Sequence, residues 1–325
     1  MGDPVSEFQR ALAEWGPGNT QRPPLAPAAA DVFCRRMARA HYENFPVATL
    51  LLPAALRQHF YNIYAFCRWA DDLADETGDS VRALELLAWW RSELADCFAG
   101  TPRHPIFVAL TGTINEFQIP LDPFEDLISA FEQDQRVTQY ETYAELLAYC
   151  QRSANPVGLL VLHLLRQAKP EFQAWSDQIC TGLQLANFWQ DVSRDYDMGR
   201  VYLPREDRVQ FGYSEADLQA RRTTPAFVAL MEFEVQRARE LLESGLPLAD
   251  CLPGRFQVDI ELFAAGGLKI LQLIEDCGYR VWDQRPRIRK RNLIGLASRA
   301  VLRGLGRKMK LIPPRCWQPT AEVPP

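Results

Sequence analysis

Helical periodicity is the feature that most constrains the fold of this chain. From residue 28 onward, apolar residues recur at helical spacing in one segment after another. Several segments begin with proline, as at Pro53, and proline suits the first turn of a helix. Period-two alternation of β-branched residues is almost absent, which argues against strands. The sequence therefore predicts an all-α fold.

Composition divides the chain into three parts. Residues 1–27 form a leader, in which the Pro/Gly-rich stretch at 16–27 is expected to be poorly ordered. Residues 28–285 carry the helical pattern and are predicted to form one compact all-α domain. With 47% hydrophobic residues in a chain of 325, such a domain can bury a sizeable core. Residues 286–325 form a basic, partly amphipathic extension with a Pro-rich end.

Composition also argues against several classes of function. A net charge of −5 does not suit a nucleic-acid-binding domain. Eight cysteines without a CxxC pair and only four histidines argue against a zinc site or a His-rich metal centre. No Gly-rich dinucleotide fingerprint follows a strand, so we expect no NADPH site. With neither a signal peptide nor a long apolar run, we expect a cytoplasmic protein, soluble or peripheral.

A first acidic face lies in the segment YAFCRWADDLADE. Because a helix turns about 100° per residue, Tyr64, Arg68, Asp71 and Asp75 share one face, and Asp72 lies to one side. Like charges at i,i+4 destabilise a helix, and aspartate is a poor residue for a helix interior. A sequence that accepts both costs indicates a function for the pair.

A second acidic face lies in the segment QLANFWQDVSRD. Gln184, Asn187, Asp191 and Asp195 form a narrow polar stripe on a mostly apolar helix, which predicts that the stripe faces an interior cavity. Carboxylate and amide oxygens without His or Cys suit hard cations, above all Mg²⁺. Two such faces opposed across a cavity would hold a diphosphate between them, with metal charge stabilising it as it leaves. The alternative interpretation is a solvated acidic surface.

The two motifs, YAFCRWADDLADE and LQLANFWQDVSRDYDMGRVYLP, resemble the aspartate-rich motifs of the squalene/phytoene synthase family of head-to-head prenyl synthases. They stand in the family's order, about 120 residues apart, and the resemblance extends over about residues 28–290. It implies the terpene-synthase fold, a helical bundle around a central cavity. It also implies a prenyl diphosphate substrate and two or three Mg²⁺ ions.

Within the family, HYENFPVATLLLP, SANPVG and ANFWQDV look like the hydroxysqualene synthases of bacterial hopanoid pathways. Those enzymes ionise presqualene diphosphate, rearrange the cyclopropylcarbinyl cation and trap it with water. Enzymes that condense two prenyl diphosphates generally have Lys in place of Glu43, and often Arg in place of Gln190. Both changes remove a cation that could hold a diphosphate. Our hypothesis is that a reaction starting from one diphosphate needs fewer cations.

Other assignments stay open at this point. The chain could be a presqualene diphosphate, squalene or phytoene synthase that condenses two prenyl diphosphates. It could also be a non-catalytic helical partner of lipid-synthesis enzymes. The basic extension could bind anionic lipid at the inner face of the membrane, or pack as a solvated helix on the acidic body. Enzymes of the squalene pathway are further candidate partners.

The resemblance also implies roles for individual residues. The predicted metal ligands are Asp71, Asp75, Asn187, Asp191 and Asp195. The predicted substrate-binding residues are His41, Tyr64, Arg68, Asn155, Gln184, Asn187, Arg200 and Tyr202. Tyr279 matches a family tyrosine near the diphosphate, and Asp134 matches a family acidic position. The predicted catalytic residues are Asp71, Asp75, Asp191, Asp195 and Tyr279.

Several of these roles have a plain structural alternative. Arg68 could contact the diphosphate or only neutralise its acidic neighbours. His41 could pack between helices, and Tyr279 could be a core tyrosine. Asn155 could position the quenching water, or only cap the helix break at Pro156. Gly158 could let an isoprenoid chain approach the backbone.

Overall fold

The computed structural model describes residues 7–19, 22–40, 53–252 and 256–288. Within these ranges the chain is helical and has no strand, apart from an isolated bridge between Gln139 and Val201. The predicted all-α class is therefore confirmed. The helices are α1 (Glu7–Trp15), α2 (Pro27–Ala40), α3 (Ala54–Asp75), α4 (Ser80–Phe98), α5 (Pro105–Phe117), α6 (Asp122–Asp134), α7 (Tyr143–Ser153), α8 (Asn155–Leu164), α9 (Pro170–Asp197), α10 (Arg205–Gln210), α11 (Glu215–Gln219), α12 (Pro225–Gly245), α13 (Pro247–Cys251) and α14 (Phe256–Asp276).

The described helices group into two compact units. The first contains residues up to Thr138 together with Leu159–Ala168, and the second contains Gln139–Gly158 and the chain from Lys169 onward. The first aspartate motif belongs to the first unit and the second motif to the second unit. The single domain predicted over residues 28–285 stays a prediction. None of the described helices is both long enough and apolar enough to cross a membrane.

An aromatic cluster fills the core of the first unit. Trp69 and Trp90 are fully buried, and their stacked rings lie 6.0 Å apart. The ring of His104 packs edge-on against both, and its Nδ1 caps α5 by accepting a hydrogen bond from the Ile106 amide at 3.2 Å. Burial lowers the pKa of His104 to about 3, so this histidine is a neutral structural residue.

Helix α1 lies in the N-terminal part of the leader, before the Pro/Gly-rich stretch at 16–27. Phe8 and Trp15 on this helix are buried, and the Phe8 ring lies 5.3 Å from the Trp69 ring. After the helix, the Arg22 guanidinium lies 4.2 Å above the Trp15 ring and pairs with Glu14 at 2.6 Å. The signal was present in the sequence, because Phe8 and Trp15 stand seven residues apart on one helical face.

Helices α9, α12 and α14 form the body of the second unit and approach closely where they carry glycine. A Cβ atom on Gly245 would lie 2.7 Å from the Trp175 carbonyl oxygen and 2.5 Å from Ile179 Cγ1. A Cβ on Gly182 would lie 2.8 Å from Leu242 Cγ. These contacts fix the position of α9, the helix that carries the second aspartate motif.

We expect Gly245→Ala to lower the free energy of unfolding by about 1–3 kcal/mol, because the added methyl group meets backbone that cannot move aside. Gly112→Ala is the matched control. This exposed residue of α5 has open space around its Cβ position, so the change should stabilise by about 0.5–1 kcal/mol. Urea unfolding measures both variants. Equal effects would contradict the close packing described for Gly245.

Candidate active site

The first aspartate motif lies at the C-terminal end of α3. Asp75 is the last residue of the helix and is exposed, and Asp71 lies one turn earlier. The carbonyl end of a helix carries partial negative charge, so carboxylates there are poorly placed for stability. A bound cation would relieve both this effect and the repulsion between the two carboxylates.

Arg68 neutralises this acidic cluster. Its Nη1 lies 3.1 Å from Asp71 Oδ2, its Nη2 donates to Asp72 Oδ1, and Glu76 lies 3.9 Å away. In this structure the guanidinium therefore fills the neutralising role, and the predicted contact with diphosphate stays a prediction. Tyr64, two turns before Asp71 on the same helix, is half-buried.

Asp72 was missed as a member of this cluster. The helical angles placed it to one side, but it is 4% exposed and bonded to Arg68. Burial raises the pKa of Asp72 to about 6, and Arg68 opposes that rise. The i,i+4 spacing of an arginine and an aspartate was a usable signal for the pair.

The second motif lies on α9. Both carboxylate oxygens of Asp191 accept hydrogen bonds from Arg285, Oδ1 from Nε and Oδ2 from Nη2 at 2.9 Å. Arg194 adds a longer ion pair of 3.9 Å with Asp191. Earlier on α9, Gln184 is half-buried and Asn187 is exposed. Arg285 was not among the predicted site residues, because its contact spans 94 residues of sequence.

Asp195 is the most strongly perturbed of the predicted ligands. Burial and, to a lesser degree, the negative charge of Asp191 raise its pKa to about 7, against the opposing positive charges of Arg200, Arg194 and Arg285. Without a cation beside it, this carboxyl group would ionise only near neutral pH. A cation bound beside Asp195 would favour its charged form.

The loop after α9 returns to Asp195. Gly199 has a φ of +77°, a left-handed conformation that glycine adopts without strain, and the next amide, that of Arg200, donates to the Asp195 carbonyl at 2.8 Å. Tyr202 then stacks on Phe188 of α9, with ring centroids 3.7 Å apart. A small pocket adjoins this stack, lined by Asp195, Arg200, Tyr202, Phe188, Val192 and Trp282 among others. The structure therefore brings Arg200 and Tyr202 to the second motif, and their predicted role in substrate binding stays a prediction.

Asn155 begins α8, directly after the helix break at Ala154. Its Oδ1 accepts a hydrogen bond from Thr181 Oγ1 of α9 at 2.9 Å. The backbone of Gly158 packs against Ser176 and Cys180, whose side chains would clash with a Cβ at this position. The small size of Gly158 thus allows its backbone to pack closely on α9. The reason expected for a glycine at this position was a different one, the approach of an isoprenoid chain to the backbone.

The remaining predicted residues lie apart from these contacts or outside the described ranges. Tyr279 follows α14 with a φ of +59°, and the charged groups near it are Glu275, Glu232 and Arg239. Burial and the two glutamates raise the pKa of its hydroxyl. Asp134 is the half-buried last residue of α6. The predictions for His41 and Glu43 lie outside the described residues.

The donor set suits Mg²⁺. In the described part of the chain, no group of three or more His, Cys, Asp or Glu side chains could hold a metal ion. Each motif instead offers a pair of aspartates, and Mg²⁺ commonly takes one or two carboxylates and completes its shell with water and substrate phosphates. Taken motif by motif, the residues that would hold Mg²⁺ are Asp71 and Asp75 at the first, and Asn187, Asp191 and Asp195 at the second.

Comparisons with known proteins agree on one family. A family model described as squalene/phytoene synthase matches residues 38–292. The phytoene synthase of Arthrospira platensis is 35% identical over 241 residues, which cover 69% of this chain and 78% of that protein. The 15-cis-phytoene synthase of Synechocystis sp. is 33% identical over 283 residues, which cover 83% of each.

Solved structures extend the likeness to the fold. The squalene synthase HpnC of Alicyclobacillus acidocaldarius has a TM-score of 0.75 and 42% identity, covering 78% of this chain and 95% of that one. A dehydrosqualene synthase in complex with ligand has a TM-score of 0.77 and 26% identity, covering 88% of this chain and 98% of that one. The all-α architecture is shared with both.

We expect the stability of the metal-free protein to fall as pH rises through the titration range of Asp195. Its pKa is about 7 in the folded chain and 3.8 as a free side chain, so the folded state holds an extra proton between these values. The contribution of Asp195 to the free energy of unfolding is therefore fully present below about pH 4, and it is lost as the pH rises to about 7. Urea unfolding in EDTA at pH 5 and pH 8 measures the loss.

Asp195→Asn should reduce this decline and be more stable than the wild type at pH 8. Asp197→Asn is the matched control on the same helix, because Asp197 is exposed and paired with Arg221 at 2.5 Å. It should keep the wild-type dependence on pH. If Asp195→Asn also keeps the wild-type dependence, the assignment of a raised pKa to Asp195 is wrong.

Proposed function

The chain belongs to the squalene/phytoene synthase family, and we propose that within it the chain converts presqualene diphosphate and water into hydroxysqualene and diphosphate. Enzymes of this family act on prenyl diphosphates. The observation that carries the narrower proposal is the greater identity to a squalene synthase structure than to the phytoene synthases. The segments around Asn155 and Gln190, which resemble hydroxysqualene synthases, support it.

The aspartates supply the chemistry of the first step. Mg²⁺ held by them would provide the positive charge that stabilises the diphosphate as its carbon–oxygen bond breaks. Asp195 is suited to this task because burial makes its negative charge costly without a cation. Arg200 lies close enough to affect the pKa of Asp195, so it can add charge on the same side of the leaving group.

The later steps need an apolar wall and one water molecule. Bond cleavage leaves a cyclopropylcarbinyl cation, which rearranges before the oxygen of water forms the new carbon–oxygen bond and loses a proton. The stacked rings of Phe188 and Tyr202 supply an aromatic surface beside Asp195, and such surfaces tolerate a nearby cation. Asn155 is the candidate for positioning the water, because its side-chain amide carries two N–H donors besides the oxygen that accepts from Thr181.

A second candidate function is the condensation of two prenyl diphosphates, favoured by the phytoene synthases among the relatives. The hypothesis that a reaction starting from one diphosphate needs fewer cations bears on the choice between these two functions. Gln190 carries no charge, but Arg285 places a guanidinium on Asp191, the next residue. The cation missing at position 190 is therefore offset from a distant part of the chain, and the hypothesis of a site with fewer cations now depends on Glu43.

Location and partners stay predictions. Of the basic extension predicted at residues 286–325, only residues 286–288 are described. We propose that the extension associates with anionic lipid, because the C₃₀ substrate and product dissolve in membranes. Enzymes of the squalene pathway remain candidate partners, and the cytoplasmic location remains an expectation.

Product analysis tests the proposed reaction. We expect the purified chain with Mg²⁺ and presqualene diphosphate to release hydroxysqualene, and to yield the same product with NADPH present. With farnesyl or geranylgeranyl diphosphate we expect no condensation product. Mass spectrometry of the extracted lipid distinguishes these outcomes. Efficient formation of presqualene diphosphate or phytoene would replace the proposal with the second candidate, and formation of squalene only with NADPH would contradict the water quench.

The first motif is tested by Asp75→Asn. Loss of one carboxylate from the metal-binding pair should lower the turnover of presqualene diphosphate on the order of 100-fold or more. Asp79→Asn is the matched control four residues later, between α3 and α4, because asparagine can replace Asp79 as the cap that accepts from the Val81 amide. It should retain activity. Full activity in Asp75→Asn would exclude this residue as an essential ligand.

A further inference from the structure

A short segment after α14, residues 282–288, lies against the acidic end of α9. Trp282 is 8% exposed, and its ring packs edge-on to Tyr196 at 5.6 Å. Pro286 is buried, and its carbonyl oxygen accepts a hydrogen bond from the side-chain amide of Gln190. Two contacts on either side of Arg285 therefore fix the path of this segment.

Gln190 is an anchor for this segment. The residue is 6% exposed, and a buried amide that lost its partner would keep the cost of its desolvation. Its bond to the Pro286 carbonyl thus holds the backbone next to Arg285 in place. The guanidinium of Arg285 then reaches Asp191, the residue that follows Gln190 on α9, through two hydrogen bonds.

Arg285 neutralises negative charge at the second motif. Asp191 and Asp195 are like charges one helical turn apart on α9, and carboxylates at this spacing repel one another. A planar guanidinium that bonds both oxygens of a carboxylate is a strong neutralising partner. The Arg285 guanidinium places one positive charge beside Asp191. A divalent metal ion bound to Asp191 would add two more positive charges at the same place.

We propose that Arg285 is a built-in counter-ion that occupies Asp191 in the metal-free protein and must leave it when a divalent cation binds, with Gln190 as the residue that positions it. This inference rests on the proposed function in taking Asp191 as a metal ligand. Metal affinity at the second motif is then set by a competition between Arg285 and the ion. Removing Arg285 should strengthen metal binding, although it removes an ion pair from the folded chain.

Mn²⁺ binding to the full, metal-free chain tests the proposal, followed by the loss of the free-ion electron paramagnetic resonance signal. The titration uses the ion alone, because a diphosphate could contact Arg285 itself. We expect Arg285→Gln to bind Mn²⁺ about three- to tenfold more tightly than the wild type, the range of a partly exposed charged pair. Gln190→Ala should shift the affinity in the same direction by a smaller factor.

Arg194→Gln is the matched control. Arg194 also faces Asp191, but at 3.9 Å and with a largely exposed side chain, so its removal should change Mn²⁺ affinity less than twofold.

Thermal unfolding gives a second readout. In EDTA, Arg285→Gln should melt below the wild type, and saturating Mn²⁺ should raise its melting temperature more than it raises that of the wild type.

Failure of this inference is distinguishable from failure of the proposed function. Unchanged or weaker Mn²⁺ binding in Arg285→Gln overturns the competition while leaving the aspartates as ligands. Asp191→Asn separates the two, since it should weaken Mn²⁺ binding in either case. If Asp191→Asn leaves the affinity unchanged, Asp191 is not a ligand at this site, and both the competition and the proposed role of the second motif are overturned.

Discussion

The repulsion between paired carboxylates is the constraint on which both aspartate motifs depend. A like-charged i,i+4 pair destabilises an exposed helix by about 0.2–0.5 kcal/mol, and burial of a carboxylate, as at Asp195, adds to that cost. Positive charge beside each motif offsets this cost. Arg68 supplies it at the first motif and Arg285 at the second.

The two arginines supply this charge by different routes. Arg68 lies on the same helix as Asp71 and Asp72, so the pairing forms wherever the helix forms. Arg285 comes from the far end of the described chain and depends on Trp282 and Pro286 for its position. The charge at the first motif is therefore supplied locally, whereas the charge at the second motif depends on how a segment 94 residues away packs against α9.

Local patterns in the sequence were enough to predict most of the helices and the faces of the two motifs. Helical angles placed Asp191 and Asp195 one turn apart on one face, and both lie on α9. The residues that follow α9, Arg200 and Tyr202, return to it in the structure. The angles failed for Asp72 because they describe where a Cα–Cβ bond points, while the long side chain of Arg68 reaches across that angle. They could not find Arg285 at all, because no local pattern specifies a contact across 94 residues.

Gln190 shows why a substitution read from sequence can mislead about charge. As a single position, a glutamine in place of an arginine subtracts one cation from a site that binds diphosphate. In the folded chain the same glutamine is buried and holds the Pro286 carbonyl, and the next side chain on that segment puts a guanidinium on Asp191. Gln190 suits this arrangement, because its side-chain amide donates to the Pro286 carbonyl without burying a charge. The number of cations near the second motif is thus a property of the fold, and the hypothesis of a site with fewer cations rests on Glu43.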